Sequence, residues 1–365
     1  MRGNRLRLAV VGLLVLVLAG FVFLRGPTPH IQIKPETLYS IGIINITNTM
    51  VTSWLVVALM VGLVYLASRR RELVPRGVQN LLEAIVEGFY NLVVSIAGEK
   101  NGRRFFPVVA TIFFFVLFAN WFSLFPIFNA IGLGQEEEHG FVMEKVDLGP
   151  LPATYVGLSS LDQLQGRTID EEDPEAAHKV EQEKDKGNFV GEIRPFLRGV
   201  NTDLNTPLAL AIMSAIFVEF WGISTLGFFT YGRKFFNFGG LLRGIRRLSL
   251  DDVFRGVIDA FVGFLELVSE MVRLISFTFR LFGNMFAGEV VILMFTFLVP
   301  LVFTLPFYGL EIFVGLIQAF IFAALTLVFG MIAVAHGGPP DAEEAQAEIH
   351  ETETAEGQLV VNSEQ

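Results

Sequence analysis

The sequence contains no cysteine, which excludes disulfides and thiolate metal sites and leaves cysteine usage silent on redox compartment. Histidine is scarce. The five histidines stand at positions 30, 139, 178, 336 and 350, none of them inside a long apolar run. A membrane-embedded hydrolase or acyltransferase would need a His, Cys or metal-ligand cluster at membrane depth, and that material is missing. No G-x-x-x-x-G-K-[ST] phosphate loop occurs, so a nucleotide site of that type is absent. No internal repeat is visible, which counts against a secondary transporter built from two related halves. Basic residues come in short clusters beside apolar segments, and nucleic-acid binding has no support.

What the chain has in excess is hydrophobicity. Of 365 residues, 52% are hydrophobic and 37 are Phe, gathered into long runs with no alternating or helical period. Runs near 20 residues match the bilayer's hydrocarbon core of about 30 Å. The net charge of −10 is unevenly placed. Positions 135–204 hold 16 acidic and 7 basic residues, and positions 336–365 hold 8 acidic and no basic ones. These stretches account for −9 and −8, so the rest of the chain carries +7. A basic membrane body therefore carries one acidic insert and one acidic tail, neither assigned a site.

Along the chain, residues 1–25 read as an N-terminal hydrophobic anchor or a signal. The first membrane part covers 44–133. It has an apolar run at Met50–Ala67, an amphipathic segment at 75–98, and a second run at Phe105–Leu133. The acidic insert, 134–204, reads as an extracytoplasmic excursion or a partly disordered loop. Apolar runs at Leu208–Tyr231, Val253–Leu298 and Val299–Ala335 make up the region 205–335, and 336–365 is an acidic, disordered tail. Placing Arg69–Arg76, Lys100–Arg104 and Arg233–Arg255 on the cytoplasmic side satisfies the positive-inside bias. The expected fold is an all-α, polytopic membrane protein of about five to six transmembrane helices. The last two should be long and strongly tilted, because about 40 residues exceed an upright crossing.

Within Val257–Val299, Glu266, Ser269, Glu270, Arg273, Ser276, Arg280, Asn284 and Glu289 interrupt an apolar stretch. A charge at the centre of a membrane helix costs about 2.5–3.5 kcal/mol on insertion scales, so each marks a partner, a cavity or a water path. At 100° per residue, with Arg280 at 0°, Arg273 falls at about 20°, Glu266 and Asn284 at about 40°, and Glu270 and Gly288 at about 80°. Ser269 and Ser276 fall at about −20° and −40°, whereas Glu289 lies opposite at about 180°. Two polar faces on one apolar helix suggest two separate aqueous environments. In the final run, Glu311 and Gln318 lie two turns apart on one face, with Tyr308 one turn before Glu311. Asn120 is open between a channel role and helix–helix glue. Glu219 is open between channel hydration and a structural partner.

The segment Ser276-Phe-Thr-Phe-Arg280-Leu-Phe-Gly-Asn284-Met-Phe-Ala-Gly288-Glu289 resembles the signature of F-type ATP synthase subunit a. The string beginning at Gln318, Gln-Ala-Phe-Ile-Phe-Ala-Ala-Leu-Thr, is similar to the family's last helix. Asn120-Trp-Phe-Ser-Leu-Phe-Pro126 and the Asn201-Thr-Asp-Leu-Asn-Thr-Pro-Leu-Ala-Leu segment are similar to earlier spans. The likeness covers 44–131 and 202–335, and the insert is longer than the family leads one to expect. The resemblance implies an ion-translocating subunit with no catalysis of its own and no cofactor or metal. It sits in the bacterial plasma membrane beside the rotating c-ring and the peripheral stalk subunit b.

On that resemblance Arg280 is the essential arginine facing the ring carboxylates. A guanidinium stays charged at any relevant pH, so it acts as an electrostatic barrier and not as a proton carrier. Asn284, Glu289 and Gln318 match outer half-channel positions. Glu266 and Ser269 match the path towards the cytoplasm. The family commonly pairs Glu with His across the positions of Glu289 and Glu311, whereas both are Glu here, so two carboxylates are placed to share a proton. Protons are the expected ion, and carboxylates alone leave Na⁺ open. Replacing Glu311 by Leu is expected to abolish ATP-driven proton pumping in membrane vesicles; unchanged pumping would remove Glu311 from the path.

Overall fold

The computed structural model describes residues 31–69, 77–128, 131–147, 152–156, 188–235, 250–298 and 304–335 apart from 32, 43 and 126, together with Gly12 and Val15. Apart from Gly12 and Val15, the expected N-terminal anchor or signal lies outside the described residues, as do most of the basic stretch after Tyr231 and the acidic tail. The described chain is mostly helical: α1 is Asn48–Ser68, α2 Val78–Phe122, α3 Asn205–Leu226, α4 Phe228–Phe235, α5 Leu250–Leu298 and α6 Leu305–Ala335. Five of these are long and apolar enough to cross a membrane: α1, α2, α3, α5 and α6. At 1.5 Å per residue α5 is about 73 Å long and α6 about 46 Å, both well beyond an upright crossing of about 30 Å.

Helix ends explain where the apolar runs stop. Thr47 caps α1, its hydroxyl accepting from the Met50 N–H. Asp203 caps α3: Oδ1 accepts from the N–H groups of Asn205 (2.8 Å) and Thr206 (3.2 Å), and Oδ2 accepts from Thr49 Oγ1 at 2.5 Å. Asp203 is fully buried, and these donors answer its desolvation. The span expected to run to Tyr231 ends at Leu226 instead. Gly227 takes a positive φ of 82°, which glycine alone adopts without strain, and α4 starts afresh.

The amphipathic segment and the span after it form one element, α2, interrupted at Gly98 with φ 72° and ψ 165°. Its apolar run was expected to reach Leu133, but α2 ends at Phe122. There Ser123 Oγ donates to the Asn120 carbonyl (2.6 Å), and turn bonds carry the chain on through Phe128.

Two small sheets flank the helical body. β1 (Thr37–Ile41) and β2 (Ile44–Thr47) form an antiparallel hairpin before α1. β3 (Gly132–Asp147), β4 (Pro152–Val156) and β5 (Phe189–Pro195) form an antiparallel sheet in the order β4-β3-β5. These strands replace much of the expected loop at both ends of the insert. Gly132 pairs with Pro195, a register between segments far apart in sequence, so no local alternation announces it.

The chain divides into two compact units. The first comprises Met1–Val86, Ala110–Leu210 and Phe277–Ala323, and the second Glu87–Val109, Ala211–Ser276 and Ala324–Gln365. In the first, Val56, Ala119 and Val200 form a buried cluster with Met60, Phe115, Phe118 and Phe122 packed around it. Trp121 Nε1 donates to the Ile312 carbonyl (3.0 Å), and Phe295 stacks on Phe307. In the second, Phe105 stacks on Trp221 with centroids 4.2 Å apart, and Ser214 and Thr326 share a hydroxyl bond of 2.8 Å. Lipid tails are as apolar as Leu, so helix contacts of this kind rely on close packing and interhelical hydrogen bonds.

Asp203→Ala removes the α3 cap and the acceptor of Thr49 together, at a cost of about 1–3 kcal/mol. The expected result is a lower thermal midpoint for the solubilised assembly and less chain in the membrane. Asp203→Asn should fall nearer wild type.

Candidate functional site

The polar positions of α5 divide between the units: Arg280, Asn284, Gly288 and Glu289 belong to the first, and Glu266, Ser269, Glu270, Arg273 and Ser276 to the second. Each set makes its own contacts.

In the first unit Asn284 Nδ2 donates to Gln318 Oε1 at 2.7 Å, joining α5 to α6. Gln318 is buried, and among the described residues its own Nε2 has no acceptor. Gly288 lies against Glu311: a Cβ built on Gly288 would overlap the Glu311 carboxyl group. Glycine is therefore what lets a buried carboxyl group from α6 sit on the backbone of α5. Glu289, one residue on, has Oε2 3.8 Å from Arg198 Nη2. Asn284 thus meets Gln318 and Gly288 meets Glu311, while Glu289 of the same unit meets Arg198.

Arg280 is half-buried on α5. Among the described residues it makes no hydrogen bond and no ion pair. The other described arginines whose contacts are known differ. Arg273 pairs with Glu270, Arg198 with Glu289 and Arg103 with Glu99, while Arg104 donates to Ser224 and to Thr225.

Asn120 is spent on packing. Its Nδ2 donates to the Gly315 carbonyl (3.1 Å), and its Oδ1 accepts from Asn201 Nδ2 (2.8 Å). This ties α2 to α6 and to the 3₁₀ turn Val200–Thr202 in the way an interhelical amide does.

In the second unit Glu270 Oε2 accepts from Arg273 Nη1 at 2.7 Å, and the guanidinium lies 3.8 Å from the centre of the Phe329 ring. Glu266 is half-buried, while Ser269 and Ser276 are exposed on α5. Glu219 of α3 lies beside the Tyr231 phenol. Burial first, then the Glu219 carboxylate and more weakly Glu270, push the Tyr231 phenol above its ordinary range. The Tyr231 ring seats on Gly222, where a Cβ would strike it.

Sequence reasoning missed Arg198, Asn201 and Tyr231. Arg198 sits in an acidic segment with no helical period, and its known partners Thr52, Lys34 and Glu289 are all remote in sequence. Tyr231 was taken as the end of a span, and the helix break at Gly227 changes that.

A family model described as ATP synthase A chain matches residues 50–330. The chain belongs to the ATP synthase subunit a family. Curated relatives named ATP synthase subunit a include one from Moorella thermoacetica, 26% identical over 82% of this chain and 95% of its own length. Another, from Gloeobacter violaceus, is 28% identical over 81% of this chain and 87% of its own. One from Trichlorobacter lovleyi is 26% identical over 79% and 89%. Membership of the subunit a family makes the chain a non-catalytic subunit of the synthase membrane sector, involved in proton translocation. With its five apolar helices it is a multi-pass protein of the bacterial cell membrane.

Gly288→Ala is expected to displace the Glu311 carboxyl group and to lower ATP-driven proton pumping about tenfold, the scale on which small misplacements of a functional group act. Combining it with Glu311→Ser, which frees the space, should restore assembly without restoring pumping. Vesicle pumping and the amount of assembled complex measure both.

Proposed function

We propose that this subunit provides two half-channels on either side of Arg280, through which protons reach and leave carboxylates on the rotating c-ring. The observation that carries the reading is the state of Arg280. Held in an apolar helix, half-buried and without a partner among the described residues, its guanidinium is available to an anion from outside this chain. A passing ring carboxylate supplies that anion, is kept ionised while it lies opposite, and is released once it takes a proton. The fixed positive charge also blocks direct proton passage between the half-channels.

The outer half-channel runs past Glu289, Glu311, Asn284 and Gln318. The Asn284–Gln318 hydrogen bond and the seat of Glu311 on Gly288 support the assignment, as does the buried Nε2 of Gln318, because hydrogen-bonding capacity in the hydrocarbon region suits a hydrated path. The path to the cytoplasm runs past Glu266 and Ser269. The acidic insert 134–204 lies outside the cell. The c-ring covers the exposed apolar side of α5, where Phe261, Val268 and Phe279 are exposed, and the peripheral stalk subunit b completes the stator.

Arg280→Ala is expected to abolish coupled proton pumping and ATP synthesis in membrane vesicles while the complex still assembles. Coupled transport at near wild-type rates would overturn the role of Arg280.

A further inference from the structure

Glu289 and Glu311 differ in what surrounds them. Glu289 faces a guanidinium, with Arg198 Nη2 3.8 Å from its Oε2. Glu311, buried against Gly288, has no ion-pair partner among the described residues.

Arg198 is itself unusual. Only 6% of it is exposed, although it comes from the irregular segment between β5 and the 3₁₀ turn. Its contacts include partners from two other elements. Its backbone N–H donates to Thr52 Oγ1 of α1 (3.2 Å), Nη1 donates to the Lys34 carbonyl (3.1 Å), and Nη2 faces Glu289. A cation this deeply buried persists only with charge compensation and filled donor sites, and Glu289 is an anion that faces it.

We propose that Arg198 is a positioning residue of the outer proton path: it fixes the Glu289 carboxylate and holds the negative charge of the two acids there, leaving Glu311 as the group that gains and loses the proton. This rests on the half-channel reading above. The Glu311 carboxyl rests on Gly288, the residue before Glu289, so the two acids meet the same turn of α5, and Glu289 has a guanidinium beside it. A guanidinium beside one of them breaks the symmetry and directs the proton to the other. Glu311 passes its proton towards the ring and accepts the next from outside.

The test uses membrane vesicles carrying the complete synthase with Arg198→Gln or Arg198→Lys. Gln keeps a donor for the Lys34 carbonyl but no charge, whereas Lys keeps the charge. ATP-driven proton pumping is read against the amount of assembled complex. Arg198→Gln should pump about tenfold less per assembled complex, as loss of one partner of a buried charge pair implies, and Arg198→Lys should stay within about threefold of wild type. Pumping by Arg198→Gln within about twofold of wild type overturns the inference, as does equal loss in both variants. If Arg198→Gln does not assemble, Arg198→Lys decides on the same threefold criterion. Arg280→Ala is measured in parallel. If it keeps coupled pumping, the half-channel reading itself fails. If it loses pumping while Arg198→Gln does not, only the role of Arg198 fails.

Discussion

A charged side chain carried into hydrocarbon costs about 2.5–3.5 kcal/mol on insertion scales, so every one on α5 and α6 must have a partner, a cavity or a face turned to something other than lipid. Glu270 meets that demand with Arg273, whose guanidinium also lies over Phe329. Glu289 meets it with Arg198. Glu311 packs on backbone at Gly288 and has no ion-pair partner among the described residues. Arg280 has no such answer among the described residues. The paired charges tie α5 to a side chain of α6 and bind the irregular segment before α3 to α5 within the subunit.

Close approach is the second requirement, because helices in lipid have no hydrophobic drive to associate. Gly288, Gly315 and Gly330 each place helix backbone against a neighbouring side chain: the Glu311 carboxyl, Asn120 and Trp221 respectively. Polar groups then bridge helices at short range, as in Asn120 to Gly315 and Ser214 to Thr326. Packing and chemistry share the same positions, so the small residue that admits Glu311 is also the one that sets its place on α5.

Much of this was legible from the chain alone. Five apolar runs became five membrane-length helices because run length is a local property. The polar stripe on α5 was readable because helical periodicity converts spacing directly into direction. The failures lie where structure is not local. The run towards Leu133 ends at Phe122, and the one towards Tyr231 ends at Leu226. Hydropathy continues across a turn or a positive-φ glycine that periodicity does not see. The sheet formed by β3, β4 and β5 depends on pairing Gly132 with Pro195, and nothing near either residue declares the other.

The sequence by itself determined the class of molecule, its membrane spans and the helical positions at which charge enters the hydrocarbon. Each of these follows from composition and period along one segment. Only the tertiary structure decided which charges are spent. Asn120 became a packing amide through Gly315 and Asn201, and Glu289 acquired Arg198 from a segment that reads as a loop. Glu311 came to rest on Gly288. A partner is a matter of distance between residues remote in the chain, and a linear pattern carries no information about that distance until the helices are packed.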